Sequence, residues 1–170
     1  LPKNFILAHN EQFFNLRSDK FFSQFADVVF RKNAIDVAFI DGFHEFTQVL
    51  RDTFNLIKYM SPHGVIFLHD CNPDTEELIE GKNGHWTGDV WKAAYYLQTK
   101  SKNLNFFTLN CDRGLGVLTK FKENKTLKFP DVNIIQKLKG LNYDFLDHHR
   151  HKILNLRPFW YSVLYFSIFQ

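Results

Sequence analysis

Hydrophobic and polar positions divide the first half of the chain into short apolar runs and one long helical stripe. Asp36 to Ile40 (DVAFI) is an apolar run that predicts a strand covered on both faces. From Glu45 to Met60 the residues Phe46, Val49, Leu50, Phe54, Ile57 and Met60 recur at spacings of three and four, which predicts a helix with one apolar stripe. Ser61-Pro62-His63-Gly64 is read as its end, and Val65 to Leu68 (VIFL) as a second buried strand. Two buried strands joined by a helix make a βαβ unit, whose crossover sets the strands parallel.

After a polar loop, Thr87 to Thr99 reads as another helix, with Thr87 or Asp89 as its cap. Leu104 to Leu109 and Leu115 to Lys120 read as strands separated only by Asn110-Cys111-Asp112-Arg113-Gly114. That loop is too short for a crossover helix, so the last pair is expected to be antiparallel, with two helices following. No repeat, low-complexity run or Gly/Ser linker divides the sequence. A single compact α/β unit is expected, with an apolar tail from Phe159 (FWYSVLYFSIFQ) read as a strand or docking segment that can join two copies of the chain; an interfacial membrane segment is the lesser alternative.

Composition narrows this picture modestly. The 170 residues, 45% hydrophobic, suffice for one buried core and argue against disorder. A scattered net charge of +3 gives no electrostatic case for nucleic acid or a membrane surface, and the locally basic Lys120 to Lys128 (KFKENKTLK) is read as a solvated loop. Cys71 and Cys111 fall in no disulfide or zinc-ligand pattern, which fits a reducing, cytoplasmic setting. The opening residues lack the apolar run of a signal peptide, and no stretch has the length and apolarity of a membrane span.

Both parallel strands end in chemistry. Asp41-Gly42-Phe43-His44 follows the first and His69-Asp70-Cys71-Asn72 the second. Ligands of open parallel sheets bind outside the carboxyl ends of the strands. An Asp after a strand can also simply cap a helix, and a Gly can supply a turn. Two such clusters at adjacent strand ends favour a site.

The string FIDGFHEFTQVLRDTFNLIKYMSPHGVIFLHDCNP, followed by GDVWKAAYYL and DRGLGVL, resembles the class I S-adenosylmethionine-dependent methyltransferases, in particular the small-molecule and sugar O-methyltransferase-like domains of bacteria. In that family the Asp-Gly-x-His piece follows the fourth strand and the His-Asp-x-Asn-Pro piece the fifth, while the sixth and seventh strands form the antiparallel pair. LRSDKFF, from Leu16, resembles the segment after the third strand, and YDFLDHHRHKILNL the closing helix. The resemblance runs from about residue 14 to residue 157. It implies a Rossmann-like sheet with a terminal antiparallel hairpin, formed by residues 1–157, with 158–170 as the tail.

The chain departs from the family at its start. Its first glycine is Gly42, so the glycine-rich cofactor loop and the first strand are lacking, and the sequence looks like the C-terminal two-thirds of a methyltransferase. Asn4 to Asn10 is read as the family's second strand, leaving Glu11 as the acid nearest the position that holds the cofactor ribose. The resemblance further implies S-adenosylmethionine as cofactor, with Ser18 and Asp19 near the adenine and Asp41 and Gly42 lining the cleft beside the methyl group. It makes His44 the first choice and His69 the second for general base, beside Asp70, since imidazole titrates near neutral pH. Asp41, Asp70 and Asn72 match positions through which some O-methyltransferases bind magnesium (Mg2+), although here Cys71 separates the last two.

Trp86 and Trp91 could stack on an acceptor ring, but aromatics in and before an amphipathic helix are expected in the core, and His148, His149 and His151, with Arg150 and Lys152, on a solvated helix face. The expected function is O-methylation of a small hydroxylated acceptor such as a sugar or glycoside. Two alternatives stand beside it: a truncated, non-catalytic binding domain, and a metal-dependent hydrolase using Asp41, His44, His69 and Asp70.

Overall fold

A computed structural model describes residues 9–100, 104–119 and 129–168. The strand expected at Asn4 to Asn10 and the basic segment Lys120 to Lys128 lie outside or largely outside them. The elements run α1 (Ser18–Gln24), α2 (Ala26–Val29), β1 (Ile35–Ile40), α3 (Phe46–Ile57), β2 (Met60–Leu68), α4 (Glu76–Glu80) and a 3-10 turn (Lys82–Gly84). They continue as α5 (Val90–Thr99), β3 (Asn105–Leu109), β4 (Leu115–Thr119), α6 (Val132–Lys139), α7 (Tyr143–Ile153), β5 (Leu156–Arg157) and α8 (Trp160–Ile168).

The sheet order is β1-β2-β4-β3-β5. β1 and β2 are parallel, with Ile40 opposite Leu68, while β4 lies antiparallel to both β2 and β3. The strands read from the sequence as the family's fourth, fifth, seventh and sixth therefore stand side by side, with the hairpin ending in place.

The α3 stripe packs as its spacing requires: Phe46, Val49, Leu50 and Ile57 are buried against Ile66, Leu68, Trp91, Ala94 and Leu97 in the main core. Each such side chain, taken out of water, contributes about 1.5–3 kcal/mol. A second cluster on the opposite sheet face joins Val65, Phe107, Leu109 and Val117 to Tyr165 of α8.

Four expectations need correction. Ser61-Pro62-His63-Gly64 does not separate helix from strand; β2 already begins at Met60, and the stretch forms an irregularity in the β1–β2 pairing between Ile35 and Val37. β1 is not covered on both faces: Val37 is 63% and Phe39 58% exposed, because the cluster under α8 draws on β2, β3 and β4 and includes no residue of β1. The tail is a helix, not a strand; Tyr161 and Tyr165 dock it on Phe107, and the Tyr165 hydroxyl is bonded at 2.7 Å to both Asn105 Nδ2 and Thr119 Oγ1. Trp91 is in the core, but Trp86 is 43% exposed.

Candidate active site

The ends of β1 and β2 are tied by a backbone bond from His69 N to Ile40 O at 3.0 Å, which brings Asp41 beside His69 and Asp70. Asp70 takes a left-handed conformation (φ 59), an uncommon one for a residue with a side chain. The turn between β3 and β4 holds it there: Cys71 N donates to Gly114 O at 2.9 Å and Asn72 N to Arg113 O at 2.7 Å. Gly114 itself has φ +90, and a Cβ there would lie 2.4 Å from Asn72 N, so only glycine fits the approach. The same turn delivers Asp112, whose Oδ2 accepts from His69 Nε2 at 3.1 Å.

His44 comes from the loop between β1 and α3. Its carbonyl accepts from Asp89 N at 3.1 Å, and Gly88 (φ +58) approaches so closely that a Cβ would stand 1.8 Å from that oxygen. Of the two caps expected for α5, Thr87 or Asp89, Asp89 stands at the cap position, but its side chain makes no such bond, and Oδ1 instead accepts from Phe46 N at 2.8 Å, capping α3. His44 Nδ1 donates to the Trp86 carbonyl at 2.6 Å, and the Trp86 ring leans on the imidazole and on Phe43.

These supports assemble a compact group of two imidazoles and two carboxylates. His44 Nε2 lies 3.3 Å from Asp41 Oδ1, and His69 Nδ1 lies 3.3 Å from both Asp41 Oδ1 and Asp70 Oδ2. His44 Nδ1 is also 3.4 Å from Asp70 Oδ2. Asp41, His44 and Asp70 each offer an atom within 4.8 Å of the others, a spacing that can hold a metal ion. Asp70 is 2% exposed, whereas the Asp41 side chain is 44% exposed and opens the group to solvent. Burial works against charge on His69, but the hydrogen bond to Asp112 and the carboxylates of Asp70 and Asp41 outweigh it and raise its pKa above the usual imidazole value.

The other sequence-derived positions fall elsewhere. Ser18 and Asp19 stand at the start of α1, where Gln48 Nε2 of α3 donates to Ser18 Oγ at 3.1 Å and to Asp19 Oδ1 at 3.2 Å. Glu11 lies in the exposed stretch before α1. At Gly42 a Cβ would meet nothing within 4 Å, so the chain is open there to a bound group. Asn72 does not join the carboxylates: its Oδ1 accepts from Arg150 Nη1 at 2.7 Å and its Nδ2 donates to Asn110 Oδ1 at 3.3 Å. With that amide oxygen committed, the oxygen-only set of Asp41, Asp70 and Asn72 does not fit magnesium.

Three contributions are absent from the sequence expectations. Asp112 gives no pattern of its own. Trp86 acts through its carbonyl, which sequence does not reveal. Arg150 was grouped with a solvated histidine face, yet it shares the α7 face of buried Leu146 and Ile153 at spacings of four and three, a signal that was legible.

An open α/β sheet of this order is consistent with a Rossmann-like domain, and the polar group lies at the carboxyl ends of its parallel strands, where such sheets bind their ligands. Residues 3–71 match the family model described as a methyltransferase domain, which includes Asp41, His44, His69 and Asp70. The match bears out the resemblance to the class I S-adenosylmethionine-dependent methyltransferases over that stretch. No curated protein and no solved structure matches the chain.

Proposed function

We propose that the chain carries the methyl-transfer site of an S-adenosylmethionine-dependent O-methyltransferase whose acceptor is a small hydroxylated molecule, a sugar or glycoside. The observation that carries this reading is the Asp41–His44–His69–Asp70 group at adjacent strand ends, beside exposed aromatic rings. S-adenosylmethionine, when bound, supplies a sulfonium-activated methyl group. The residues then have two tasks, to orient an acceptor hydroxyl and to take its proton.

Phe43 (57% exposed) and Trp86 stand edge to face at 6.0 Å and offer a sugar ring an apolar surface next to His44. Because Trp86 O holds the Nδ1 proton of His44, the basic nitrogen of the neutral ring is Nε2, on the Asp41 side. His69 is held the same way by Asp112 and presents Nδ1. Gly42 and Asp41 border the open space, and Ser18 and Asp19, fixed by Gln48, supply polar groups for the adenosine end.

Exposed Val37 and Phe39 favour a second reading, a methyltransferase-like domain that binds without catalysing, since β1 has no partner on its other edge among the described residues. The hydrolase alternative uses the same four side chains but leaves the hairpin ending and the family match without explanation. No helix among the described residues is long and apolar enough to cross a membrane. We place the protein in the cytoplasm, in keeping with its free cysteines. Exposed Phe159, Trp160, Val163 and Leu164 on and before α8 support self-association, which sedimentation of the chain and of a Trp160→Ser variant would measure.

The deciding experiment is titration calorimetry with S-adenosylhomocysteine, followed by methyl transfer from labelled S-adenosylmethionine to a panel of sugars and glycosides. Micromolar binding and label on an acceptor, lost in His44→Ala, is the expected result. A folded chain that binds no S-adenosylhomocysteine overturns the catalytic reading and leaves the binding-domain one.

A further inference from the structure

We propose that Asp41, His44, His69 and Asp70 form a four-donor site for a divalent transition-metal ion of the zinc class, in place of the oxygen-only magnesium site that the family resemblance implies. The inference concerns the same four side chains as the methyl-transfer reading and is tested by a different measurement.

The spacing is the first argument. Donor atoms bound at the usual zinc distances around a tetrahedron lie about 3.3 Å from one another. His44 Nε2 to Asp41 Oδ1, His69 Nδ1 to Asp41 Oδ1 and His69 Nδ1 to Asp70 Oδ2 are each 3.3 Å.

The tautomers are the second. A carbonyl or carboxylate oxygen only accepts, so the Trp86 carbonyl fixes the proton of a neutral His44 on Nδ1, and Asp112 fixes that of a neutral His69 on Nε2. His44 thereby turns its lone-pair Nε2 toward Asp41, with its protonated Nδ1 on the Asp70 side, and His69 turns its lone-pair Nδ1 toward both Asp41 and Asp70. Metal-binding histidines are oriented in this way, the outer nitrogen donating to a carbonyl or carboxylate while the inner one coordinates. Without an ion, inner lone pairs and carboxylate oxygens face one another.

Asp70 supplies an independent third argument. It is 2% exposed, and its Oδ1 is buried with no hydrogen-bond partner. A buried carboxylate whose Oδ2 meets only the two imidazoles and whose Oδ1 has no partner is costly, and an ion held by this carboxylate would offset the cost.

The donor set then selects the metal. Two imidazoles with two carboxylates suit zinc and its first-row neighbours, whereas magnesium takes oxygen ligands in an octahedron, and the one amide that could complete such a set, Asn72, is held by Arg150 and Asn110. The exposed Asp41 side gives the ion an entry path and leaves room for an added ligand. A bound ion would hold both imidazoles and would lower the pKa of a hydroxyl at its open position, taking over the proton-removing role that His44 Nε2 has in the metal-free reading.

The test uses the full chain freed of metal with a chelator, titrated calorimetrically with zinc chloride and separately with magnesium chloride, and its cobalt(II) form read by visible absorption. One zinc per chain, bound at least about a hundredfold more tightly than magnesium, with the intense cobalt bands of a four- or five-coordinate site, is the expected result. His44→Ala and His69→Ala, each shown folded by circular dichroism, weaken zinc at least about tenfold. Three results overturn the proposal: no saturable zinc binding by the folded chain, magnesium binding as tight as zinc, or zinc binding unchanged in both variants, which would assign the metal to surface histidines such as His148 and His149. If the variants do not fold, a weak octahedral cobalt spectrum from the unaltered chain overturns it alone. S-adenosylhomocysteine titration reports on the cofactor cleft independently of all of these.

Discussion

Asp89 caps a helix to which it does not belong: its Oδ1 accepts a hydrogen bond from Phe46 N at 2.8 Å, while its own helix, α5, receives none from that side chain. Its Oδ2 lies 3.5 Å from Lys92 Nζ, so one carboxylate joins the starts of α3 and α5 just behind the His44 loop. Asp89→Ala is expected to destabilise the protein by about 1–2 kcal/mol, and Asp89→Asn, which keeps an acceptor oxygen, by clearly less. Urea unfolding of the pair checks this; equal losses would mean that the charge and not the cap matters.

Arg150 is the strut under the second strand end. Its guanidinium donates to Asn72 Oδ1 (2.7 Å), Pro73 O (3.1 Å), Tyr143 OH (3.2 Å) and Asp147 Oδ1 (2.8 Å). Arg150→Ala leaves two partly buried acceptors without a donor and is expected to cost about 2–3 kcal/mol. Arg150→Lys should recover only part of that, because an ammonium cannot span the same fork. Full recovery by lysine in thermal unfolding would contradict this account.

Asp52 gives the stability a pH dependence of opposite sign to that of an ordinary ion-paired carboxylate. Burial is the largest influence and raises its pKa; hydrogen bonds from Ser18 and Gln48 oppose it, and Asp19 adds to it. With the folded value above the unfolded one, its contribution is fully present below the ordinary Asp range and is lost as pH rises through the folded value. Asp52→Asn, whose Oδ1 can still accept from Gln48, should therefore raise the midpoint of thermal unfolding at pH 7 and give no gain near pH 3. A lower midpoint at pH 7 would refute the assignment.

The two thiols differ in access. Cys71 is fully buried, and burial pushes its pKa up to about 12, against a lesser backbone hydrogen bond from Gly116. Cys111 is only partly buried and its pKa is raised less far, again mainly by desolvation. Under native conditions iodoacetamide should label Cys111 slowly and leave Cys71 untouched until the chain unfolds. Mass spectrometry of the peptides decides it.

The sequence shows the parallel pair and the hairpin because both follow from local rules: a crossover needs length, and five intervening residues cannot supply it. It shows Asp41, His44, His69 and Asp70 as candidates because polar residues ending apolar runs are visible in one dimension. It does not show which nitrogen of each histidine faces inward, because that depends on Trp86 O and Asp112 Oδ2, both more than forty positions away from their histidines. Asn72 looked like a ligand for the same reason that Arg150 looked solvated: their mutual bond spans seventy-eight positions. The tail misled through composition, since its aromatic and branched residues favour strands, whereas tertiary contacts of Tyr161 and Tyr165 with Phe107 fit a helix.

The bonds from Cys71 N to Gly114 O and from Asn72 N to Arg113 O make the loop after β2 an extension of the antiparallel half of the sheet. In hydrogen exchange these two amides should behave as core amides, opening only with the whole domain, although they sit directly beside the site. The side bearing Asp70 is thus a fixed jaw. Any adjustment to an acceptor falls to Gly42 and Phe43 on the other side, which have open space around them, since His44 next to them is itself held by Asp89 N and Trp86 O.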